Sequence, residues 1–230
     1  MRWIVTLSIA LVAGFAGAAA WDYSGFGPDR TRDYLLANPE ILPEAMQELQ
    51  RRDVLARIEP LRDELETPFP GAVLGNPNGK ITLVEFTDYA CGYCRQSLAH
   101  VHQVIAANPD LKVVIREYPI LSADSADAAR MALAAAEQGR YEQFHNAMFA
   151  AESLSPQNIE LAARQSGVDL ESARAAIETG AYEGQLQNNV FLAQNMGVGG
   201  TPAWVVGDQV LSGAVGPDTL SAAIDEARDS

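Results

Sequence analysis

Two cysteines separated by two residues are the side chains of this sequence best suited to chemistry. Cys91 and Cys94 are the only cysteines among the 230 residues. A disulfide between them would close almost no loop, so it would constrain the unfolded chain very little. Thiols at this spacing suit disulfide exchange, because one thiolate can attack a disulfide and the other can resolve the mixed disulfide. The pair therefore predicts redox reactivity or metal binding.

Zinc is the main competing interpretation of the cysteine pair. Tetrahedral zinc takes four ligands, and beyond the two thiols the sequence offers only three histidines, His100, His102 and His145. No second CxxC motif is present. We therefore favour disulfide exchange, with the disulfide Cys91–Cys94 as the redox group and with neither a metal nor an organic cofactor.

The cysteine pair lies where a predicted strand gives way to a predicted helix. The run Ile81–Thr87 is β-branched and aromatic, which is typical of a buried strand. From Cys94 to Ala107 the apolar residues have helical spacing, and Leu111–Arg116 then predicts a second strand. We expect Cys91 at the N-terminus of the helix, where unpaired backbone N–H groups favour its thiolate.

The rest of the chain predicts an α/β fold. A helical stretch over about 121–197 is followed by a hairpin made of Ala203–Val206 and Gln209–Leu211. A last helix is predicted over about 218–228. The predicted order of elements is βαβ, then an all-helical insertion, then ββα.

Two segments resemble the active-site segments of DsbA-type proteins. Phe86–Cys94, FTDYACGYC, resembles their redox segment, and Gly200–Pro202 resembles their cis-proline loop. The inserted helices match that family's layout, and the resemblance covers roughly residues 72–230. It implies a thioredoxin-like fold and thiol–disulfide oxidoreductase activity. It also implies a cis Thr201–Pro202 peptide against the sulfurs, with its backbone pairing with the substrate chain.

Glu85 lies six residues before Cys91 in an otherwise apolar strand. An unpaired carboxylate buried there would be costly. The resemblance implies that Glu85 accepts the proton of Cys94, the inner cysteine. The alternative is an exposed carboxylate on the strand.

Two tyrosines and two glycines are predicted to border the reactive sulfur. Tyr89 and Tyr93 would provide an apolar edge for unfolded substrate, with Gly92 and Gly200 completing the substrate-binding surface. Ordinary packing explains the two tyrosines nearly as well.

Residues 29–66 form a charged segment with helical spacing of apolar residues. Pro43 and Pro60 are expected to break it into two or three short helices. The segment either packs on its own domain or serves as an arm for self-association. Its stretch Asn38–Ile41 and the helices that follow resemble the ScsC-like branch of the family, which implies a homo-oligomer and favours disulfide isomerisation.

The first twenty residues predict a cleavable secretory signal. Arg2 precedes an uncharged apolar run that ends in Ala18-Ala19-Ala20. A membrane anchor is the alternative. Residues 21–27 are predicted to be a flexible lead.

The predicted organisation is a signal over 1–20, a helical arm over 21–70 and a DsbA-like domain over 71–230. The formal net charge of −14 argues against nucleic acid as a partner. We predict a periplasmic thiol–disulfide oxidoreductase that forms or isomerises disulfides in unfolded or misoxidised exported proteins and exchanges electrons with a membrane redox partner. The alternative is a periplasmic holdase or a copper-buffering thiol protein.

Overall fold

A five-stranded mixed sheet lies at the centre of the larger of two units, which divide between Gln50 and Arg51. The computed structural model describes residues 2–23 and 28–229. The strand order is β1-β3-β2-β4-β5. Only β2 and β3 are parallel; the other neighbouring strands are antiparallel. The strands are β1 (Val73–Gly75), β2 (Ile81–Thr87), β3 (Leu111–Glu117), β4 (Ala203–Val206) and β5 (Gln209–Ser212).

The predicted strands are confirmed, and one further strand precedes them. β2 has the predicted bounds, while β3 and β5 each extend one residue further than expected. β1 ends at Gly75, the first residue of the turn signals over Gly75–Gly79, and pairs with β3. A strand of three residues is too short for an alternating pattern to show.

Helices cover both faces of the sheet. α5 (Gly92–Ala107) follows β2, and α11 (Pro217–Asp229) ends the described chain. The predicted insertion consists of five helices: α6 (Ala123–Glu137), α7 (Tyr141–Ala150), α8 (Pro156–Gln165), α9 (Leu170–Glu178) and α10 (Glu183–Asn195). The chain therefore has the predicted α/β thioredoxin-like fold with a helical insertion.

Two clusters of buried side chains form the core, one on each face of the sheet. Because side chains alternate along a strand, Leu83 joins one cluster with α5 and most of the insertion, while Val84 joins the other. The second cluster also contains Ile58 and Leu65. The residues just before β1 therefore pack against the sheet.

The chain before residue 67 forms α1 (Arg2–Tyr23), α2 (Pro28–Ala37), α3 (Ile41–Ile58), a 3-10 turn (Glu59–Leu61) and α4 (Arg62–Glu66). The predicted break at Pro43 is wrong, because the interruption lies between α2 and α3. Pro43 sits in the first turn of α3, where its missing N–H group would have no partner in the helix. Pro60 lies in the 3-10 turn.

Residues 2–20 of the predicted signal lie within α1, and residue 1 lies outside the described residues. Of the predicted lead over 21–27, the first three residues belong to α1 and residues 24–27 lie outside the described residues. In the part of the chain that the structure describes, no helix combines the length and apolar character needed to cross a membrane.

Candidate active site

Cys91 caps the N-terminus of α5. Its backbone is extended, and its Sγ atom accepts a hydrogen bond from the backbone N–H of Cys94 at 3.4 Å. The backbone N–H groups of the first helical turn have no partner within the helix. A negative charge on the Cys91 sulfur is therefore stabilised by the end of the helix.

The loop before β4 lies against the Cys91 sulfur. The Thr201–Pro202 peptide is cis, and the Cys91 thiol donates to the Thr201 carbonyl at 3.2 Å. Backbone and side-chain hydrogen bonds to Gly213 hold this loop, since Gly213 N–H donates to the Pro202 carbonyl and the Trp204 indole donates to the Gly213 carbonyl. The fold thus brings together two segments that are 110 residues apart in sequence.

The two sulfurs differ in accessibility. Both cysteines are thiols in this structure; Cys91 is 7% exposed and Cys94 is fully buried. Burial raises the pKa of Cys94, and the negative charge of Glu85 raises it further. Of the two sulfurs, the one of Cys91 is therefore the more accessible from outside.

Glu85 is a buried acid close enough to Cys94 for their charges to interact. It is 2% exposed, so the alternative of an exposed strand carboxylate is wrong. Burial, followed by the charge of Glu117, raises the pKa of Glu85 to about 8. Glu85 can therefore hold a proton in the neutral pH range.

The predicted substrate edge divides into accessible and buried residues. Tyr93 is 66% exposed, and Gly92 and Gly200 are also exposed. Tyr89 is 2% exposed, and its ring packs against Phe149 with centroids 4.9 Å apart. Tyr89 therefore offers no surface to a substrate.

Asp88, which sequence reasoning missed, holds the turn that carries Cys91. One carboxylate oxygen accepts from the N–H of Ala90 at 2.8 Å, and the other accepts from Ile120 and Leu121 at 2.8 and 2.9 Å. Its own carbonyl accepts from the Cys91 N–H at 3.0 Å. An Asp between a strand and a helix is a common turn residue, but only the fold reveals its bonds to the loop after β3.

A buried polar cluster, also missed from the sequence, lies beneath the site. The Glu117 Oε1 atom accepts from the Tyr89 hydroxyl at 3.0 Å and from the Tyr141 hydroxyl at 2.7 Å. The Tyr89 hydroxyl also lies 3.0 Å from His145 Nδ1. Burial raises the pKa of Glu117, whereas the hydrogen bonds from Tyr141 and Tyr89 lower it. Burial lowers the pKa of His145 to about 3.

The histidines are not arranged around the cysteines. His145 is buried in the polar cluster, His102 is exposed, and His100 Nδ1 lies 3.2 Å from the Val215 carbonyl. Over residues 2–23 and 28–229, no three His, Cys, Asp or Glu side chains are grouped to hold a metal ion.

A CxxC pair at a helix N-terminus, facing a cis-proline loop on a mixed sheet, is the arrangement of thioredoxin-fold proteins that exchange thiols and disulfides. A family model described as the DSBA-like thioredoxin domain matches residues 82–225. The chain belongs to this family. Thiol–disulfide oxidoreductases of the DsbA-like kind use a redox-active cysteine pair for their chemistry.

A second family model matches the segment before the domain. The N-terminal domain of the copper resistance protein ScsC matches residues 31–53. Together the two matches support the predicted ScsC-like branch of the DsbA family.

Solved structures agree with this assignment. A thioredoxin-like oxidoreductase from Silicibacter pomeroyi is 39% identical, with a TM-score of 0.70 over 74% of this chain and 98% of that one. A linker-deletion mutant of Proteus mirabilis ScsC is 28% identical, with a TM-score of 0.67 over 86% of this chain and 92% of that one.

Curated relatives are much longer proteins. A Na(+)/H(+) antiporter NhaA from Salinispora tropica is 27% identical over 175 residues, which is 75% of this chain and 26% of the antiporter. This chain spans about a quarter of the length of the first such relatives.

Proposed function

We propose that Cys91 and Cys94 are the redox pair of an exported enzyme that forms or isomerises disulfide bonds in exported proteins. The observation that carries this proposal is the position of the Cys91 sulfur, at the N-terminus of α5 and 3.2 Å from the Thr201 carbonyl. A sulfur in this position is activated by the helix and lies beside a backbone that can pair with an extended substrate.

Disulfide formation begins from the oxidised pair. A substrate thiolate attacks the Cys91 sulfur, the Cys91–Cys94 bond breaks, and Cys94 leaves as a thiolate that takes the proton of Glu85. A second substrate thiolate then attacks the substrate sulfur of the mixed disulfide and releases Cys91. The substrate loses two electrons, and the cysteine pair keeps them.

Disulfide isomerisation begins from the reduced pair. The Cys91 thiolate attacks a wrong disulfide and forms a mixed disulfide, and another substrate thiolate releases Cys91 by forming a new pairing. No net electrons are transferred. As the resemblance to DsbA-type proteins implies, the backbone of Thr201 and Pro202 pairs with the substrate chain. Tyr93, Gly92 and Gly200 border the bound substrate.

Export and partners follow from the chemistry and the N-terminal sequence. The predicted signal over residues 1–20 supports export to the periplasm, where substrates would be unfolded or misoxidised proteins. Net disulfide formation leaves two electrons on the pair in each cycle, so a redox partner in the membrane must remove them.

The arm over residues 29–66 supports a homo-oligomer. Leu36, Leu42, Met46 and Leu49 are 49–64% exposed in the single chain. Ile58 and Leu65 are buried in the core of the larger unit. The first part of the arm therefore offers apolar side chains to other copies, and several active sites around shared substrate would favour isomerisation.

The oligomer proposal is tested by light scattering on the chain lacking residues 1–20. We expect an oligomer, and we expect the triple variant Leu42→Ser, Met46→Ser, Leu49→Ser to be monomeric with exchange activity retained. A wild-type monomer would contradict the link between oligomer and isomerisation.

The function itself is tested by equilibrating the chain with graded glutathione buffers and trapping free thiols. A potential of about −120 mV would mark a strong oxidant, and one of about −270 mV a reductant or a reduced isomerase. Oxidation of a reduced test protein and repair of a scrambled one separate the two roles. Absence of exchange in the wild type, equal to that of Cys91→Ala, would overturn the proposal.

Copper buffering is the second candidate, favoured by the match of residues 31–53 to a copper resistance protein. Cysteine thiolates suit Cu(I), a soft ion. Competition with a Cu(I) chelator tests it, with Cys91→Ala, Cys94→Ala as the control. Holdase activity, the remaining alternative, would survive in Cys91→Ala.

A further inference from the structure

A second buried acid lies on the same side of the sheet as Glu85. Glu117 is 1% exposed and ends β3, which runs parallel to β2. Thr87 lies opposite Glu117, and Glu85 is two residues earlier on β2. The spacings of strands and of alternate residues place the two acids about 8 Å apart at their Cα atoms. Their side chains are thus near enough for their charges to interact.

The hydrogen bonds around Glu117 favour its ionised form. His145 is neutral near pH 7, because burial lowers its pKa to about 3. If its Nδ1 atom carries the proton, it donates to the Tyr89 oxygen, and both Tyr89 and Tyr141 donate to Glu117 Oε1. Each of these three hydrogen bonds then has one donor and one acceptor, and both phenol hydroxyls donate to Glu117.

Neither oxygen of Glu117 offers a favourable hydrogen-bonding position for a proton. On Oε1 it would compete with both phenols, and on Oε2 it would find no acceptor among the described residues, where this atom is buried without a hydrogen bond. Charge-assisted hydrogen bonds are stronger than neutral ones. The two phenols therefore stabilise the Glu117 carboxylate more than the acid.

Glu85 has weaker support for its charge. The hydroxyl of Thr87, on the same strand, favours the ionised form of Glu85, but burial and the charge of Glu117 outweigh it. The negative charges of Glu117 and of a Cys91 thiolate both disfavour ionisation of Glu85. Asp88 acts in the opposite sense, since its charge disfavours ionisation of Glu117. Asp88 is itself engaged with three backbone N–H groups.

We propose that Glu117 is a positioning residue for the redox reaction: Tyr89 and Tyr141 hold the single negative charge of the buried acid pair on Glu117, which keeps the proton on Glu85 beside Cys94. This inference rests on the proposed function, because it concerns the proton that Cys94 takes when the disulfide opens. The proton leaves the Glu85 carboxyl and binds the Cys94 sulfur, so no further acid is needed.

Infrared titration of the oxidised protein tests which acid holds the proton. In the disulfide form the two cysteines do not titrate. Protonated carboxyl groups absorb at a different infrared frequency from carboxylates, so the two states can be measured separately. Glu117→Gln leaves Glu85 as the only acid of the pair, and Glu85→Gln leaves Glu117. We expect Glu117 alone to lose its proton at a lower pH than Glu85 alone does, because two phenol hydroxyls donate to the Glu117 carboxylate. Equal midpoints or the reverse order would overturn the proposal.

The interaction between the two acids has its own test. Removing the Glu117 charge should lower the pH at which the last buried carboxyl ionises by about one to two units, the Coulomb interaction of two charges about 8 Å apart at an effective dielectric constant of about 20. An unchanged midpoint in Glu117→Gln would contradict the inference.

Two matched tyrosine variants separate the effect of the hydrogen bonds to Glu117 from the effect of losing any buried tyrosine hydroxyl. In the Glu85→Gln background, Tyr141→Phe removes a hydrogen bond to Glu117 and should raise its midpoint. Tyr182→Phe is the control, because the Tyr182 hydroxyl donates to Glu137 at 2.8 Å, outside the cluster. If Glu117→Gln does not fold, Tyr141→Phe carries the test, and no difference from Tyr182→Phe would refute the proposal.

Exchange kinetics separate this inference from the proposed function. Glu117→Gln should still exchange disulfides, but its rate of disulfide opening should decline at a lower pH than that of the wild type. A wild type without exchange would defeat the proposed function, whereas an active Glu117→Gln with a wild-type pH profile would defeat only the role of Glu117.

Discussion

Replacement of Asp88 should loosen the turn that carries Cys91. Asp88 is 1% exposed, and its carboxylate accepts three backbone hydrogen bonds, two of them from the loop after β3. Asp88→Ala leaves all three N–H groups without this acceptor. A hydrogen bond to a charged group contributes about 1.5–3 kcal/mol. Since water can reach loop amides after the change, we expect a loss of about 3–5 kcal/mol in the free energy of unfolding.

Urea unfolding of the reduced and oxidised forms measures this loss. Asp88→Asn should lose about half as much, because its amide retains one acceptor oxygen. Asp169→Ala is the control: its carboxylate caps α9 from an exposed position, and removal of such a cap costs about 1 kcal/mol. Hydrogen exchange at Ile120 and Leu121 should become faster only in the Asp88 variants.

An Asp88→Ala protein that loses less than 1 kcal/mol, or no more than Asp169→Ala, would refute this reasoning. So would unchanged hydrogen exchange at Ile120 and Leu121. The turn at Cys91 would then be held by α5 and the cis-proline loop alone.

Three further predictions concern the cysteines, the buried acids and Arg116. Cys94→Ser should accumulate a mixed disulfide between Cys91 and a reacting thiol, visible in non-reducing gels, because the resolving thiol is missing; rapid release would contradict this. The raised pKa of Glu85, about 8, means that the folded protein binds more protons than the unfolded chain between about pH 4.5 and 8. Stability should therefore be greatest below this range and fall as the pH rises towards 8, with a smaller fall in Glu85→Gln; a fall of equal size in urea titrations would argue against it. Arg116→Lys should reduce the free energy of unfolding by about 2–4 kcal/mol, because its buried guanidinium donates to three carbonyls at the end of α4 and to an amide of α10; a loss below 1 kcal/mol would contradict it.

The positions of the cysteines and Glu85 could be predicted because each depends on local sequence. The change from an apolar strand to a helical pattern places Cys91 at the start of α5. The apolar neighbours of Glu85 predict its burial, and the structure finds it 2% exposed. Local patterns therefore suffice where a strand and the following helix define the site.

Other parts of the site depend on contacts that the sequence does not encode locally. Glu117, Tyr141 and His145 come from β3 and α7, and no spacing reveals that they meet below Cys94. Tyr89 and Tyr93 look equivalent in sequence, yet one is 2% and the other 66% exposed. The difference arises because Tyr89 precedes the helix and faces the insertion, whereas Tyr93 lies in the first turn of α5.

Trp204 is placed to serve as an intrinsic fluorescence probe of the active site. The indole is fully buried, and in the antiparallel register of β2 and β4 it lies directly opposite Glu85. Such neighbours have Cβ atoms about 5 Å apart. The other two tryptophans, Trp3 and Trp21, belong to α1. Fluorescence of Trp204 should therefore follow the charge on Glu85, and so report each opening and closing of the disulfide without an attached dye.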